Sequence, residues 1–296
     1  MNRGSIVGVL VVAGLIGAGF WLFKNSGLDV SGDSSDKKGK KGAQVEQKML
    51  TFTIDGHSSQ GAKQWHLEGN SAEIVGDNIH LNDLKAVAYG DVTVRLTSDK
   101  GIYRKDKGVV ELMGNVIVKA DDGTLLTTES ASWSQNSKDI STEDEVKIER
   151  QGMSARGKGG WANSDKKKAK LKKSVIVVME PHTTVTCDGP MDVSYDDNKA
   201  VFYKNVEVVD KDGKMFSDRL TVNFDRTSKK LAEVVAEGHV KVKRGRSYTL
   251  SEKAIYKDST KSAQLLGRPQ IIIDPQELDD LNAFQQAGGV SVSQKN

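Results

Sequence analysis

The sequence predicts an all-β protein, an antiparallel open β-jelly-roll or V-shaped β-trough made of repeated strands, with one N-terminal transmembrane helix. Three observations support this class. Apolar and polar residues alternate along many segments, as they do in strands with one buried face. The alternating segments recur about every thirty residues, which is typical of repeat architectures. An uninterrupted apolar run lies near the N-terminus, at residues 6–23.

The apolar run is long enough to cross a bilayer, because about 18 residues of helix cover roughly 27 Å. No small-x-small cleavage site follows it, so residues 1–26 are predicted to be an uncleaved membrane anchor. Lysines follow the run, which by the positive-inside rule opposes export of the body, although a large following domain is translocated regardless of its charge. Residues 27–48 are rich in Ser, Gly, Asp and Lys, which predicts a flexible linker.

The segment Val109–Ser134 shows the repeat unit most clearly. Its first strand alternates apolar and polar residues, and Asp121-Asp122-Gly123 predicts the turn into a second strand. A glycine, Gly114, stands at the middle of the first strand, where a missing side chain allows a sharp bend. About fifteen such bent strands, stacked antiparallel with their apolar faces inward, would form a trough on the order of 70 Å long at ~4.8 Å per strand.

The same pattern is found in the other units. The bend position holds glycine at 90, 114, 238 and 267, whereas Asp144, Lys173 and Lys204 replace it in the intervening units, which are expected to be distorted. The second strands carry a small or apolar residue and then an apolar or aromatic residue two positions later, as in Ala131/Trp133 and Gly159/Trp161. After Pro275 the alternation stops, and residues 276–296 are predicted to form a short helix and a disordered tail.

Composition and motifs exclude several function classes. A net charge of +3 does not indicate a nucleic-acid-binding protein. The single cysteine, Cys187, cannot form an internal disulfide, and the five histidines lack metal-ligand spacing. Residues 152–159 approach a P-loop, but Gly159 replaces the Mg²⁺-binding Ser or Thr and no helix pattern follows. No cofactor is predicted, and no residue is assigned a catalytic role.

Three stretches resemble known proteins. Gly61–Leu67, which follows the predicted anchor and first strand, is similar to the G-x-x-x-W-x-L opening of LptC, the inner-membrane-anchored lipopolysaccharide-export protein. Residues 101–118 resemble the repeat that LptC shares with the periplasmic protein LptA, also called OstA-like. Residues 186–210 and the segments after them resemble LptA more than LptC. The resemblance divides the body into an LptC-like β-jelly-roll, 49–180, and an LptA/OstA-like β-jelly-roll, 181–275.

The resemblance implies a non-enzymatic carrier in the periplasm, held by a single-pass anchor in the inner membrane. Its trough would shield the acyl chains of lipopolysaccharide on the way to the outer membrane. The implied partners are lipopolysaccharide, an inner-membrane ABC export transporter, and an LptA-like or outer-membrane bridge protein joined by edge-strand addition. Thr51–Asp55 is expected to dock on the transporter side. Gln270–Asp274 is expected to face the next bridge subunit, unless the segment after Pro275 covers it.

The predicted lipid-binding residues share the inward positions of the strands, where many Gly and Ala residues leave room. They are Val92, Val94, Val110, Leu112, Val116, Val118, Ala131, Trp133, Val146, Ile148, Val175, Val177, Phe202, Val206, Val208, Leu220, Val222, Val240 and Val242. Two alternatives stay open at this point. The inward residues could simply fill their own core in a structural β-repeat scaffold, or two of the many carboxylates could serve a carbohydrate-active enzyme.

Overall fold

The computed structural model describes residues 47–57, 61, 63–90, 92–134, 136–163 and 165–276. The predicted membrane anchor, the linker up to residue 46 and the C-terminal segment from 277 onward lie outside this part of the chain. Within it, no helix is long and apolar enough to cross a membrane. Pro275 and Gln276 have helical backbone geometry.

The described residues form seventeen strands and follow the alternation of the sequence closely. They are β1 Gln47–His57, β2 Lys63–Val75, β3 Asn78–Ala88, β4 Val94–Arg104, β5 Val109–Ala120, β6 Leu125–Ser134, β7 Asp139–Arg150, β8 Met153–Asn163, β9 Lys168–Met179, β10 Thr183–Cys187, β11 Met191–Ser194, β12 Lys199–Asp210, β13 Gly213–Phe224, β14 Leu231–Arg244, β15 Ser247–Lys257, β16 Ser262–Leu266 and β17 Gln270–Ile272.

All seventeen strands belong to one sheet, and every pairing is antiparallel between positions that follow one another along the chain. Two positions are interrupted. β10 and β11 together fill the place between β9 and β12, and β16 and β17 together pair with β15. The sheet therefore has fifteen strand positions, and the all-β antiparallel prediction is confirmed.

The long strands bend at their middles. In β5 the register shifts between Met113 and Val116, because β5 carries one residue more than either neighbour at that point. Such a bulge bends the strand. Gly114 and Asn115 inside it have φ of 77° and 48°, the left-handed region that glycine and asparagine tolerate best. The bend divides β5 into arm A, residues 109–113, and arm B, residues 116–120. The same names are used for the other strands: residues that pair with arm A, directly or through intervening strands, belong to arm A, and those that pair with arm B belong to arm B.

Strands that carry another residue in place of glycine at the bend position are still bent there. β7, β9 and β12 each carry one extra residue there, as β5 and β14 do. Lys204 adopts a φ of 69° in spite of its side chain, and in β9 the positive φ of 53° belongs to Ser174, next to Lys173. Asp144 stays outside the left-handed region, and its carboxylate accepts a hydrogen bond from Ser130 at 2.5 Å.

A column of paired residues fills the inside of the bends. At each step a bulky side chain lies directly opposite a small one on the next strand, because the inside of a corner cannot hold two large side chains. We call them the corner pairs: Phe52–Gly69, Leu84–Ser98, Val116–Thr128, Val146–Gly157, Val175–Cys187, Val206–Ser217 and Val240–Ser251. All seven bulky members are buried.

Two predictions about individual strands are wrong. Gly90 is not a bend, because β3 ends at Ala88 and β4 starts at Val94. Val92 therefore lies in the connection between them, partly buried against the core. In β8 an added Cβ at Gly160 would point at Val146 inside, and one at Gly159 would meet Lys172. The inner positions are thus 160 and 162, one residue later than expected.

The buried side chains form two apolar clusters along the sheet. The first extends from Phe52 to Trp133 and the second from Val146 to Val240. Leu126 packs against both clusters and marks the place where they meet. Each cluster contains residues from both arms, so the sheet is folded along its bends with the apolar face inward.

Candidate functional site

The nineteen predicted lipid-binding residues all lie on the interior of the folded sheet. Fourteen of them are buried, and the other five, Val92, Ala131, Val208, Val222 and Val242, are partly buried. Every one belongs to, or packs against, one of the two apolar clusters. The structure therefore brings the set together along one continuous face, and contact with a lipid stays a prediction.

A cavity opens between the two arms where the clusters meet. The space between its walls is about 900 Å³ when it is counted out to the open mouth with the solvent there included. Arm A contributes Leu112 and Leu171 to its walls, and arm B contributes Val118 and Ile148. Seven predicted residues line it, namely Leu112, Val116, Val118, Ala131, Trp133, Val146 and Ile148. The other twelve lie elsewhere on the inner face.

Small residues create the space of this cavity. Ala131, Gly160 and Ala162 line the cavity with a single methyl group or no side chain at all. An added Cβ at Gly160 would lie 3.1 Å from Cγ2 of Val146, tighter than ordinary van der Waals contact. Because the walls are almost wholly hydrocarbon, the cavity suits an apolar ligand and offers little to a sugar chain.

Two titratable groups of the interior have a shifted pKa. Burial raises the pKa of the Tyr103 phenol and of the Cys187 thiol, so both stay protonated near neutral pH. The Cys187 sulfur lies 3.3 Å from the carbonyl oxygen of Gly189, to which the thiol donates. As a corner-pair member facing Val175, Cys187 is placed as a small core residue, in keeping with its lack of an activating motif.

Several wall residues of the cavity were missing from the predicted set. Leu96 and Leu126 lie on arm B of β4 and β6. Each lies five positions before the inner residue of arm A on its strand, Gly101 or Ala131, so period-two counting from those residues places it on the outer face. The inner row shifts by one position at the bend of both strands. Ala162 was missed because of the one-residue shift in β8, which the consecutive glycines Gly159-Gly160 signal.

No metal centre is found in the part of the chain that the structure describes, since no three His, Cys, Asp or Glu residues there are close enough to hold an ion. The carboxylates sit mostly on the outer face in ion pairs, such as Glu111 with Arg104, whose nitrogens donate to it at 2.9 and 3.0 Å. This pair holds the pKa of Glu111 below its usual range.

Comparisons with known proteins agree with these features. The family described as "Lipopolysaccharide-assembly, LptC-related" matches residues 9–180, more than half of the chain. The family described as "LptA/(LptD N-terminal domain) LPS transport protein" matches residues 188–283. No curated protein is similar enough to count as a match.

Among solved structures, the chain is similar to LptH of Pseudomonas aeruginosa, described as the LptA homologous periplasmic component of the lipopolysaccharide transport device. The two share 15% sequence identity with a TM-score of 0.35, over 42% of this chain and 95% of LptH. The two family matches confirm the resemblance in the order that the sequence indicated. The chain therefore belongs to the LptC-related family of lipopolysaccharide-assembly proteins and continues, after its LptC-related residues, into a segment that matches the LptA/LptD N-terminal family.

Proposed function

We propose that the folded sheet is an open β-jelly-roll trough that shields the acyl chains of lipopolysaccharide during export from the inner to the outer membrane. The observation that carries this proposal is the apolar cavity between the two arms, in a chain whose two segments match lipopolysaccharide-assembly and lipopolysaccharide-transport families. A sheet that only filled its own core would close this space with larger side chains.

The energetics suit a carrier. Burying a dozen CH₂ groups of an acyl chain stabilises the complex by on the order of 10 kcal/mol at ~0.8 kcal/mol each. Complete enclosure would hold the lipid too tightly to pass it on. A trough open along one side leaves part of each chain outside, so that the lipid moves stepwise to the next apolar surface, driven by an ATPase in another protein.

The two ends of the sheet suit end-to-end assembly. Among described residues, no strand pairs with the outer edge of β1, and Leu50 there is 76% exposed. At the other end, Ile271 follows the inner row after Val242 and Thr249 but is 68% exposed, because no further strand within the described residues covers it. A neighbouring trough that added its strand at either edge would pair the free backbone groups and cover these side chains.

The family matches support a wider arrangement, which is part of the same proposal. Residues 6–23 would anchor the chain in the inner membrane with its body in the periplasm. The β1 edge, with Thr51–Asp55, would dock on the transporter side, an ABC exporter. The last edge, Gln270–Asp274, would receive an LptA-like or outer-membrane bridge protein.

Photo-crosslinking in living cells tests the trough. A photoreactive amino acid at Ile148, inside the cavity, should capture lipopolysaccharide, whereas the same residue at the adjacent Lys147 should not. Neighbouring residues of a strand point to opposite faces, so the pair differs in little else. Equal labelling of both positions would refute the trough. Absence of any lipid adduct, with capture of proteins alone, would favour a structural scaffold.

A further inference from the structure

One cationic side chain lies inside the fold, at the rim of the cavity. Arg150 is the last residue of β7, where Val146 and Ile148 point inward at alternate positions before it. Its side chain is only 12% exposed. Burial of a guanidinium is costly unless its donors are hydrogen-bonded, so its surroundings indicate what it binds.

The protein satisfies this guanidinium only in part. Nη2 of Arg150 lies 3.3 Å from Oδ2 of Asp122, in the turn between β5 and β6. The other oxygen, Oδ1, accepts the backbone N–H of Thr124 at 3.0 Å. Nη1 of Arg150 and Oγ1 of Thr124 are both buried and have no hydrogen-bond partner among the residues that the structure describes.

These two groups belong to the same place in the sheet. Leu125 and Glu149 are Cα partners on β6 and β7, so the next position outward sets Thr124 opposite Arg150. The shared contact with Asp122 ties them together. A second nearby carboxylate, Asp121, is engaged by Arg95 on the outer side.

The cavity begins two residues away on each strand, at the next inward-facing position from Thr124 and Arg150. Leu126 and Ile148, a directly opposed pair, line its wall. Two residues along a strand span about 7 Å, so Arg150 and Thr124 stand where the head of a ligand would lie if its chains filled the cavity. A guanidinium edge beside a hydroxyl matches the oxygens of a phosphate group, which Arg binds by parallel charge-assisted hydrogen bonds.

We propose that Arg150 and Thr124 form a binding site for the phosphate group of an amphiphile whose acyl chains occupy the cavity. This site rests on the proposed trough function, because it assumes that acyl chains enter there. Asp122 holds one side of the guanidinium and fixes its plane, while Nη1 and the Thr124 hydroxyl donate to the phosphate oxygens. The site selects the charged head group, and the hydrocarbon walls select the chains.

The test compares two lipids on the full-length protein, lipid A with its phosphates and the same lipid after enzymatic dephosphorylation. The protein should bind the phosphorylated form about tenfold more tightly or better, as loss of a charge-assisted contact implies. Arg150→Gln and Thr124→Val should each reduce this preference. Arg156→Gln, an exposed outer-face change on the neighbouring strand, should keep the preference.

The outcomes separate the phosphate site from the trough. Retention of the wild-type preference in Arg150→Gln would overturn the phosphate site and leave the trough standing. Binding of neither lipid by the wild-type protein would instead overturn the trough. Should Arg150→Gln fail to fold by circular dichroism, the folded Thr124→Val protein supplies the decisive comparison. Inorganic phosphate should compete with phosphorylated lipid and leave binding of the dephosphorylated form unaffected.

Discussion

The first corner pair allows a quantitative test of how the bends are packed. An added Cβ at Gly69 would lie 2.5 Å from Cε1 and 2.7 Å from Cζ of Phe52, and 2.9 Å from the carbonyl oxygen of Asn82. Gly69→Ala should therefore destabilise the protein by about 1–3 kcal/mol through overpacking. Phe52→Leu should cost about 1–2 kcal/mol through lost burial.

The two changes should not add. Leucine at 52 withdraws the ring atoms, so most of the Gly69→Ala penalty disappears, leaving the contact with the Asn82 oxygen. The double mutant should be more stable than the sum of the single changes predicts by about 1 kcal/mol or more. Urea unfolding, followed by tryptophan fluorescence and circular dichroism, measures this coupling. Additive changes would refute the size-alternation account of the corner.

A matched control is available at Gly101. This glycine also lies on the inner face, but an added Cβ there would meet Leu112 and Leu81 at no less than 3.6 Å, which is ordinary contact. Gly101→Ala should therefore be tolerated and should show no coupling to Phe52→Leu. A coupling of equal size at this site would mean that the effect is not specific to the corner.

Three further predictions concern single residues. Lys204→Gly should raise stability in urea by up to about 1 kcal/mol, because φ of 69° strains any residue with a Cβ, and a loss of stability would contradict this. Cys187 should react with a thiol reagent slowly in the native protein and rapidly in urea, since burial raises its pKa and shields it, and immediate native labelling would show otherwise. The folded-state pKa of Glu111 is lowered by Arg104, so this ion pair stabilises above the unfolded-state pKa and loses that effect as pH falls through the folded value. Glu111→Gln should accordingly reduce stability at pH 7 more than at pH 3, and an equal loss at both would contradict the assignment.

Much of this fold was predictable because strand alternation and turn residues are local signals. The pattern around Gly114 indicated the bend, and the inner face of β5 followed from it. Bulges at other residues were harder to place. β8 carries one residue fewer than β7 and β9 at the bend, and its inner face shifts there by one position, from Gly157 to Gly160. Period-two counting along the sequence gives no sign of this shift.

The position of Arg150 at the rim of the cavity could not be predicted from the sequence, for a different reason. Arg150 stands in a turn-rich segment where charged residues are usually solvated, and only the pairing of β6 with β7 brings it beside Thr124 and over Ile148. The cavity itself also depends on the distance between arms, which no local pattern encodes. Its small residues, Ala131 and Gly160, indicate space only after the opposite arm is in place.

The most direct test of the carrier function is mass spectrometry of the lipid that co-purifies with the full-length protein from bacterial envelopes. The wild-type protein should carry lipopolysaccharide. Ile148→Asp, which places a charge on the cavity wall, should lose most of it, while Lys147→Asp on the outer face should retain it. Circular dichroism would verify that both variants are folded. A wild-type protein free of lipid, or equal lipid content in both folded variants, would contradict the account.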